Sequence, residues 1–485
     1  MLIYIIIGIF AVLILSSILI KRINLVSKIN IICMAMLFAV IIIMGFEINK
    51  NNSISYFNNL IYIDSLSFIQ LLIINSVSFI TSIYSFKYIK EEITDESISI
   101  KKARIYYILF QIFVFAMMFL AVSNNIVAMW IGLEATTLST AFLIGFNNNK
   151  LSIEAAWKYI IICSIGIGIG LVGIVLFIYS MSGSSGEYVL EWTVILQNYS
   201  AINKDIVKIA FTLIFVGVGT KAGFAPMHTW LSDGHSEAPS PISAMMSGIL
   251  INLALYVIVR FYIIVRLVKG VENLRYLFII FGCISLIIAS FSILKQTNYK
   301  RLLAFSSIEN IGIMSLGFGF GGVIGIFGAL LHSIIHAYGK TLLFLETGNI
   351  LSAYKTKRID KIKGLIHTMP VNAVFLIIGI LVITGTPPFA SFFSEFRILR
   401  AGIQNGYYIS TSIYAFCLLL VFAGFLLSFI KMIFDSENVE YIRFEKDRQN
   451  IVPLIITLVF IITVTCTAST CLNSILNKAV KIVLG

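Results

Sequence analysis

Several ionisable residues lie inside long apolar runs of this 485-residue chain, and each of them can hold or release a proton. A charged side chain in the middle of a hydrocarbon layer costs roughly 2.5–3.5 kcal/mol or more unless it is paired or hydrated, and it is usually functional. We therefore predict that these residues form a proton path: Glu134, Lys158, Lys221, Glu309, His332, His336, Lys340 and Glu395.

Three of these residues recur at a spacing of four, which places them on one face of a helix. They are His332, His336 and Lys340. Histidine titrates near neutral pH, so this stripe suits a proton shuttle. Two other charges have a simpler interpretation, because Lys158 could extend its charged end to the membrane interface and Glu346 could reach the lipid headgroups.

Glycine and proline surround two of the candidates. Pro226 follows Lys221, and Pro387 and Pro388 precede Glu395. Proline removes a backbone hydrogen bond and clashes with the preceding turn, so we predict a helix break at each place. Irregular backbone within a membrane persists only inside protein or beside water, and paired broken spans in two halves of a transporter indicate an ion site.

The candidates also recur at separations of 174 or 175 residues. The pairs are Glu134 with Glu309, Lys158 with His332, and Lys221 with Glu395. This spacing predicts an internal repeat of two five-span units. An odd number of spans inverts the second unit relative to the first.

The composition indicates the kind of protein that positions these residues. Hydrophobic residues make up 59% of the chain and charged residues 12%, whereas a soluble domain has roughly 45–50% and 25%. These figures exclude a soluble enzyme, a disordered chain and a secreted disulfide scaffold. The apolar runs are continuous, without the alternation of a transmembrane barrel. We predict an all-α polytopic membrane protein.

A transmembrane helix needs about 20 apolar residues, and fourteen runs of this kind are present. The predicted spans are 2–20, 29–46, 65–86, 104–122, 125–147, 153–181, 206–231, 241–268, 274–294, 301–320, 322–350, 371–402, 407–432 and 451–473. Spans 7 and 12 carry the predicted breaks. The parts of the chain are spans 1–3 in 1–103, the first repeat (spans 4–8) in 104–268, the inverted second repeat (spans 9–13) in 269–432, and a polar loop with span 14 in 433–485.

The net charge of +12 arises from 35 basic and 23 acidic residues. Most basic residues fall in the loops of one side, which the positive-inside rule makes cytoplasmic. Both termini are then predicted on the non-cytoplasmic side. No nucleic-acid-binding motif accompanies the charge. The exceptions to the rule lie between spans 8 and 9: Arg260, Arg266, Lys269 and Arg275.

Three residues in or after span 7 could admit protons from the cytoplasm, although a solvated loop is the simpler interpretation for the two acids. They are Asp233, Glu237 and His228. The six cysteines show no CxxC or Cys/His cluster, so spacing predicts no metal, haem or iron–sulfur site in this chain.

Several motifs together resemble one family. The segment from Gly219 reads GTKAGFAPMHTW and continues LSDGHSEAPSPISAMMSG, and it is followed by YKRLLAFSSIENIGIM, LLHSIIHAYGKTLLFLETGN and ITGTPPFASFFSEF. In this order they resemble the antiporter-like membrane subunits of respiratory complex I, Mrp-type cation/proton antiporters and group 4 membrane-bound [NiFe] hydrogenases. Residues of about 60–430 carry the resemblance, and the branch that it is most similar to is hydrogenase-4 component F.

The resemblance implies a subunit without a redox centre that translocates protons or sodium in a prokaryotic cytoplasmic membrane. Partner subunits would carry Ni–Fe and iron–sulfur centres in a hydrogenase or formate hydrogenlyase; an Mrp-type antiporter and complex I remain the alternatives. Glu134 and Lys221 would form an ion pair. Protons would then pass Lys340, His336 and His332 to the exit group Glu395, with Glu309 echoing Glu134. One departure is Ser247, where many complex I subunits have histidine or lysine.

Overall fold

The computed structural model describes residues 2–181, 189–435, 450–468 and 470–485. Most of the polar loop predicted at 435–450 lies outside the described residues. In the first half of the chain the helices are α1 (Leu2–Leu19), α2 (Ile23–Asn51), α3 (Ser65–Thr94), α4 (Ile100–Val122), α5 (Ile126–Ile144), α6 (Lys150–Tyr179), α7 (Trp192–Gln197), α8 (Lys204–Ala222), α9 (Thr229–Glu237), α10 (Ser240–Met245) and α11 (Ile251–Val265).

The second half is also helical. Its helices are α12 (Arg275–Leu294), α13 (Tyr299–Phe320), α14 (Gly322–Tyr354), α15 (Leu365–Thr368), α16 (Pro370–Ile383), α17 (Ala390–Gln404), α18 (Tyr408–Phe434), α19 (Val452–Thr467) and α20 (Cys471–Leu484). A short antiparallel hairpin of β1 (Ser53–Tyr56) and β2 (Ile61–Asp64) pairs Ser53 with Asp64. The predicted all-α polytopic class is confirmed, apart from this hairpin.

The predicted count of fourteen spans is not confirmed. All fourteen predicted segments contain helix, but within the described ranges only eleven elements are long and apolar enough to span a membrane, or twelve with α19 and α20 taken together. The predicted span 451–473 is not one straight helix, because α19 ends at Thr467 and its axis lies at 73° to that of the following helix. Spans 7 and 12 are not counted because α8 carries four charged residues and because α9, α16 and α17 have only 9, 14 and 15 residues.

Both predicted breaks are present. α8 ends at Ala222, Gly223 adopts a left-handed φ of 84°, the Ala225–Pro226 bond is cis, and α9 begins at Thr229. In span 12 the corresponding interruption separates α16 from α17. It contains Gly385 at φ 63° and a cis bond between Pro387 and Pro388. Each break lies next to a buried candidate residue: Lys221 is in the last turn of α8, and Glu395 is in the second turn of α17.

Polar side chains begin many of the helices by accepting hydrogen bonds from backbone N–H groups that have no partner within the helix. The capping residues are Asp64, Ser99, Asn125, Asn149, Asn203 and Asn298. One feature of span 8 has no local signal in the sequence. A π-helical turn, Met246–Leu250, joins α10 to α11. Such turns are frequent at functional sites.

The long helix α14 runs through the centre of the packed helices. All its residues from Gly325 to Ile350 are buried, and it packs against α13, α16, α17, α10 and α19. By contrast α1, α6 and α18 each expose a row of large apolar side chains, as expected of helices that face lipid. The ionisable residues of α14 are therefore shielded by protein on all sides.

The basic residue Arg260, one of the exceptions to the charge rule, is a buried structural group. Its guanidinium forms a two-bond ion pair with Asp64, at 2.7 and 2.6 Å, and also donates to Tyr256 and Ser67. Its backbone carbonyl accepts from the Trp192 indole at 2.8 Å. This pair joins the start of α3 to α11, so Arg260 does not belong to a loop.

Candidate functional site

Lys221 lies in the last turn of α8, directly before the first helix break, and its side chain is fully buried. Its ammonium donates hydrogen bonds to the Thr137 hydroxyl at 2.6 Å and to the Tyr159 hydroxyl at 2.7 Å. The Tyr159 hydroxyl also shares a hydrogen bond of 2.8 Å with Thr140. The lysine charge is thus held by hydroxyl groups of α5 and α6.

Glu134 does not form the direct ion pair with Lys221 that the resemblance implied. One of its carboxylate oxygens accepts from Ser164 at 3.1 Å, and the other is buried without a hydrogen-bond partner among the described residues. Thr137, one turn further along α5, occupies the position next to the ammonium. Glu134 and Lys221 still interact electrostatically across this separation.

Lys340 is the second buried lysine, and it points from α14 towards α13. Its ammonium donates to the Leu303 carbonyl at 2.8 Å and to the Ser306 hydroxyl. The neighbouring residue Ser307 shares a hydrogen bond of 2.7 Å with Ser247, which lies in the π-helical turn. Ser247 therefore joins span 8 to span 10, beside the Lys340 site.

A continuous series of buried polar contacts links α13 to α17. Asn310 donates to the Glu309 carboxylate at 2.9 Å, and its carbonyl oxygen lies 2.8 Å from Nε2 of His332. Nδ1 of His332 lies 2.9 Å from the Ser394 hydroxyl, and the next residue is Glu395. The sequence had predicted three of these residues but neither Asn310 nor Ser394, although each stands beside a predicted carboxylate.

The carboxylate of Glu395, in α17, lies at the second helix break, beside Gly385. A Cβ atom at Gly385 would lie 2.0 Å from one Glu395 oxygen and 2.5 Å from its carboxyl carbon. Gly385 therefore gives the carboxylate its space and also adopts the positive φ that the turn requires. The other Glu395 oxygen is buried and has no hydrogen-bond partner in the described ranges.

Two buried histidines have no hydrogen-bond partner on either ring nitrogen among the described residues. His336 stacks near His332, with 6.4 Å between ring centroids. His235 lies between Trp230 and Phe344, with centroid separations of 6.3 and 5.5 Å. His235, in the segment DGHSEAP, was not predicted from the sequence, although it lies seven residues after the predicted His228.

His235 occupies the space between the two lysine sites. Trp230 contacts the Tyr159 ring at 4.9 Å on the Lys221 side, and Phe344 belongs to α14 one turn beyond Lys340. His228 instead lies at the start of α9, half-buried, with its ring 6.2 Å from Phe305.

Lys158 is placed apart from the buried candidates. Its side chain is 46% exposed, and it pairs with Glu154 at 2.7 Å and with Asp233 at 3.0 Å. Asp233 also binds Arg301. This network supports the alternative in which Lys158 reaches the interface. The predicted repeat pairs Lys158 with His332, but their surroundings differ, because Lys158 is partly exposed and His332 is buried.

Glu237 borders a cavity of about 220 Å³ at the same end of the helices. Its carboxylate accepts from Lys357 at 2.8 Å. Lys300, only 1% exposed, also borders the cavity and donates to the Ala238 carbonyl at 3.3 Å. Asn349 of α14 borders it too, so the cavity reaches the central helix.

Glu346 was expected at the lipid headgroups, and that interpretation is wrong. It is fully buried one turn before Asn349. One carboxylate oxygen accepts from Asn372 of α16 at 3.0 Å, and the other has no partner in the part of the chain that the structure describes. The carboxyl group faces protein because α16 packs over this part of α14.

The protonatable groups within the protein interior include Lys221, Lys300, Lys340, Glu309, Glu346, Glu395, His235, His332 and His336. Within the described ranges, no three His, Cys, Asp or Glu residues are grouped so that they could hold a metal ion. Fold and site together define an α-helical membrane protein with a buried series of protonatable groups.

Comparison with known proteins identifies the family. Residues 123–426 match the family described as "NADH:quinone oxidoreductase/Mrp antiporter, TM", and the chain belongs to this family of antiporter-like membrane subunits. A hydrogenase-4 component F homolog of Methylacidiphilum infernorum (isolate V4) is 37% identical over 337 residues, covering 69% of this chain and 71% of the relative.

Two solved structures show the same fold. A chain of the archaeal membrane-bound sulfane sulfur reductase has a TM-score of 0.88 at 23% identity, covering 100% of this chain and 97% of the other. A chain of the Mrp complex from Dietzia sp. DQ12-45-1b has a TM-score of 0.83 at 16% identity, with coverages of 100% and 99%. The resemblance inferred from the motifs is confirmed.

Proposed function

We propose that this chain translocates protons across a prokaryotic cytoplasmic membrane as a non-redox subunit of a complex driven by electron transfer. The observation that carries the proposal is the buried series from Glu309 through Asn310 and His332 to Ser394, the residue before Glu395. The complex is a membrane-bound [NiFe] hydrogenase or formate hydrogenlyase, a choice supported by the relative named as a hydrogenase-4 component F homolog. Other membrane subunits and a peripheral arm with Ni–Fe and iron–sulfur centres complete it.

Protons enter through the cavity beside Glu237, on the side that the loop charges make cytoplasmic. Lys357 holds Glu237 at its rim. Glu346 is the first buried acceptor, since its unpartnered oxygen lies one helical turn from Asn349, which borders the cavity. The Asp233 carboxylate forms ion pairs with two basic side chains, Lys158 and Arg301, which favours a structural role for it.

Lys221 holds a proton in the first repeat. Its ammonium is stabilised by the hydroxyls of Thr137 and Tyr159, and by the nearby charge of Glu134. When the lysine is neutral, its nitrogen has one lone pair, so one hydroxyl can rotate and donate to it while the other still accepts. A movement of the Glu134 carboxylate towards or away from Lys221 therefore changes the affinity of Lys221 for its proton without breaking the hydroxyl contacts.

His235 connects the two lysine sites. Its ring nitrogens have no partner among the described residues, and buried polar groups of this kind bind ordered water when space allows. Neutral imidazole can accept a proton on one nitrogen and release it from the other. Transfer from the side of Tyr159 to the side of Lys340 then needs no histidine or lysine at Ser247.

Asn310 sets the protonation form of His332. Its amide donates to Glu309, so its carbonyl oxygen accepts from Nε2–H of His332. Nδ1 is then the acceptor, and it lies 2.9 Å from the Ser394 hydroxyl, which donates to the Ser391 carbonyl. A proton arriving at Nδ1 passes to the Ser394 oxygen, and the hydroxyl proton of Ser394 leaves for Glu395 directly or through water. Glu309 stabilises the resulting imidazolium through the amide, without itself moving.

Purification of the intact complex, followed by metal analysis, tests which complex this is. Nickel and iron together with the chain support the hydrogenase proposal. Their absence, with small antiporter subunits present instead, would contradict it and favour the Mrp-type cation/proton antiporter. Iron with bound flavin and no nickel would indicate complex I.

The transfer step itself is tested in proteoliposomes that contain the complex. Ser394→Ala removes the hydroxyl between His332 and Glu395 and is expected to lower the proton yield per electron strongly, whereas Ser410→Ala on α18 leaves it unchanged. An unaltered yield in Ser394→Ala would contradict the proposed route.

A further inference from the structure

A second polar cavity, of about 350 Å³, lies at the other end of the helices. It is bordered by Phe318 near the end of α13, whereas the entry cavity is bordered by Lys300 at the start of that helix. Eighteen residues of α-helix span about 27 Å, close to the thickness of a hydrocarbon core. The two cavities therefore open at opposite membrane surfaces.

Two arginines supply this second cavity with positive charge. Arg266 donates to the Val483 carbonyl, and Arg275 lies over the rings of Tyr276 and Tyr407 at 5.5 and 5.6 Å. Neither arginine forms an ion pair with a carboxylate in the described part of the chain. Both guanidinium groups retain donors for a ligand.

The nearby acid Glu272 does not neutralise them. It accepts from the Gly270 backbone N–H at 3.0 Å, and this hydrogen bond lowers the pKa of the carboxyl group. Glu272 is therefore charged at neutral pH, but its partner is the backbone of its own turn. The exposed Lys269 adds a further positive charge to this loop.

The N-terminus of α14 also borders the cavity. Gly321 and Gly322 both have positive φ angles, 69° and 67°, and no side chain caps the helix. The first N–H groups of a helix have no partner within it, and they favour an anion. The side chain of Asn405 and the ring of Tyr407 complete the border.

We propose that this cavity binds the phosphate of an anionic phospholipid headgroup from the non-cytoplasmic leaflet. Guanidinium groups bind phosphate through paired charge-assisted hydrogen bonds, and cavities of 300 Å³ or more accommodate small ligands. Tyr408 and Ile409 follow the border residue Tyr407 and are 65% and 82% exposed. They offer an interfacial ring and an apolar surface for an acyl chain.

Three of the four basic residues between spans 8 and 9 that depart from the positive-inside rule then have a role. Arg260 is neutralised by Asp64, and Arg266 and Arg275 form a binding site. Lipid phosphate is preferred over a free anion because the cavity lies at the membrane surface, next to exposed apolar residues of α18. This site is independent of the proton route, because the two have no residue in common.

The test uses the purified complex, stripped of lipid in neutral detergent and then exposed to vesicles. Wild-type complex is expected to retain phosphatidylglycerol but not phosphatidylcholine, as measured by native mass spectrometry. Arg266→Gln with Arg275→Gln is expected to lower the retained phosphatidylglycerol about tenfold, because two charged hydrogen-bond donors are lost. The single variant Arg275→Gln gives a partial loss if the double variant fails to assemble.

Lys269→Gln serves as the matched control, because this basic residue lies in the same loop but does not border the cavity. It is expected to retain lipid like the wild type. Equal retention by the arginine variants would overturn the proposal. Equal retention of the neutral lipid, or displacement of phosphatidylglycerol by millimolar inorganic phosphate, would overturn it too.

Discussion

The Lys221 ammonium donates a hydrogen bond to the Tyr159 hydroxyl at 2.7 Å, whereas no carboxylate of the described chain lies within 4.0 Å of it. A buried cation held by neutral hydroxyls is less stabilised than one held by a carboxylate. It can therefore give up its proton more readily. This contact makes Tyr159 part of the proposed proton site.

Tyr159→Phe removes one acceptor from Lys221 and leaves the ring in place. We expect the rate of proton translocation to fall about tenfold, within the range of a lost proton-transfer contact, while the complex still assembles. The measurement is the rate of pH change in proteoliposomes during electron transfer. Tyr179→Phe, on an exposed part of α6, is the control. Equal translocation rates in the two variants would show that Tyr159 has no role in proton translocation.

Arg260→Ala is expected to affect stability rather than transport. It leaves the Asp64 carboxylate buried without its cation, which costs about 3–5 kcal/mol. The yield of assembled complex and its thermal unfolding temperature should both fall. Lys208→Ala, at an exposed pair with Asp205, should change neither, since such pairs contribute at most about 1 kcal/mol.

A double variant separates this charge effect from a packing effect. Asp64→Asn retains an oxygen that can cap α3, and Arg260→Met fills similar space without charge. The combination should recover much of the stability lost in Arg260→Ala, because no buried charge remains. A double variant as unstable as Arg260→Ala would show that packing, not the unpaired charge, is decisive.

Glu346→Gln preserves the shape of the side chain and an oxygen that can accept from Asn372, but it cannot hold a proton. We expect slower proton uptake from the cytoplasmic side, with electron transfer less affected. Uptake is measured in inverted membrane vesicles with a pH-sensitive dye. Glu272→Gln, at the opposite membrane surface, is the control; if both variants take up protons at the wild-type rate, Glu346 is only structural.

The sequence predicted the helical class, the two breaks and most of the buried groups because these depend on local signals. Apolar runs define spans, and Pro226 and Pro387 interrupt them. The count of fourteen spans is not confirmed, because the break in span 12 leaves two short helices, α8 carries four charged residues, and α19 ends at Thr467. The π-helical turn at Ser247 has no local signal.

The contacts of the candidate site could not be predicted, because they depend on how helices distant in sequence pack. Spacing placed Glu134 and Lys158 in apolar runs, but only packing shows that Thr137 lies closer to Lys221 and that Lys158 reaches Asp233. His235 was overlooked for the same reason, since a single histidine in a polar motif resembles a loop residue until its neighbours are known.

The most direct test measures protons translocated per electron in proteoliposomes that contain the complex with Lys221→Ala. We predict that the variant assembles and transfers electrons, but that its proton yield falls to the background level, whereas Lys208→Ala on the same helix retains the wild-type yield. A Lys221→Ala complex that pumps protons at the wild-type ratio would show that Lys221 is not part of the proton path.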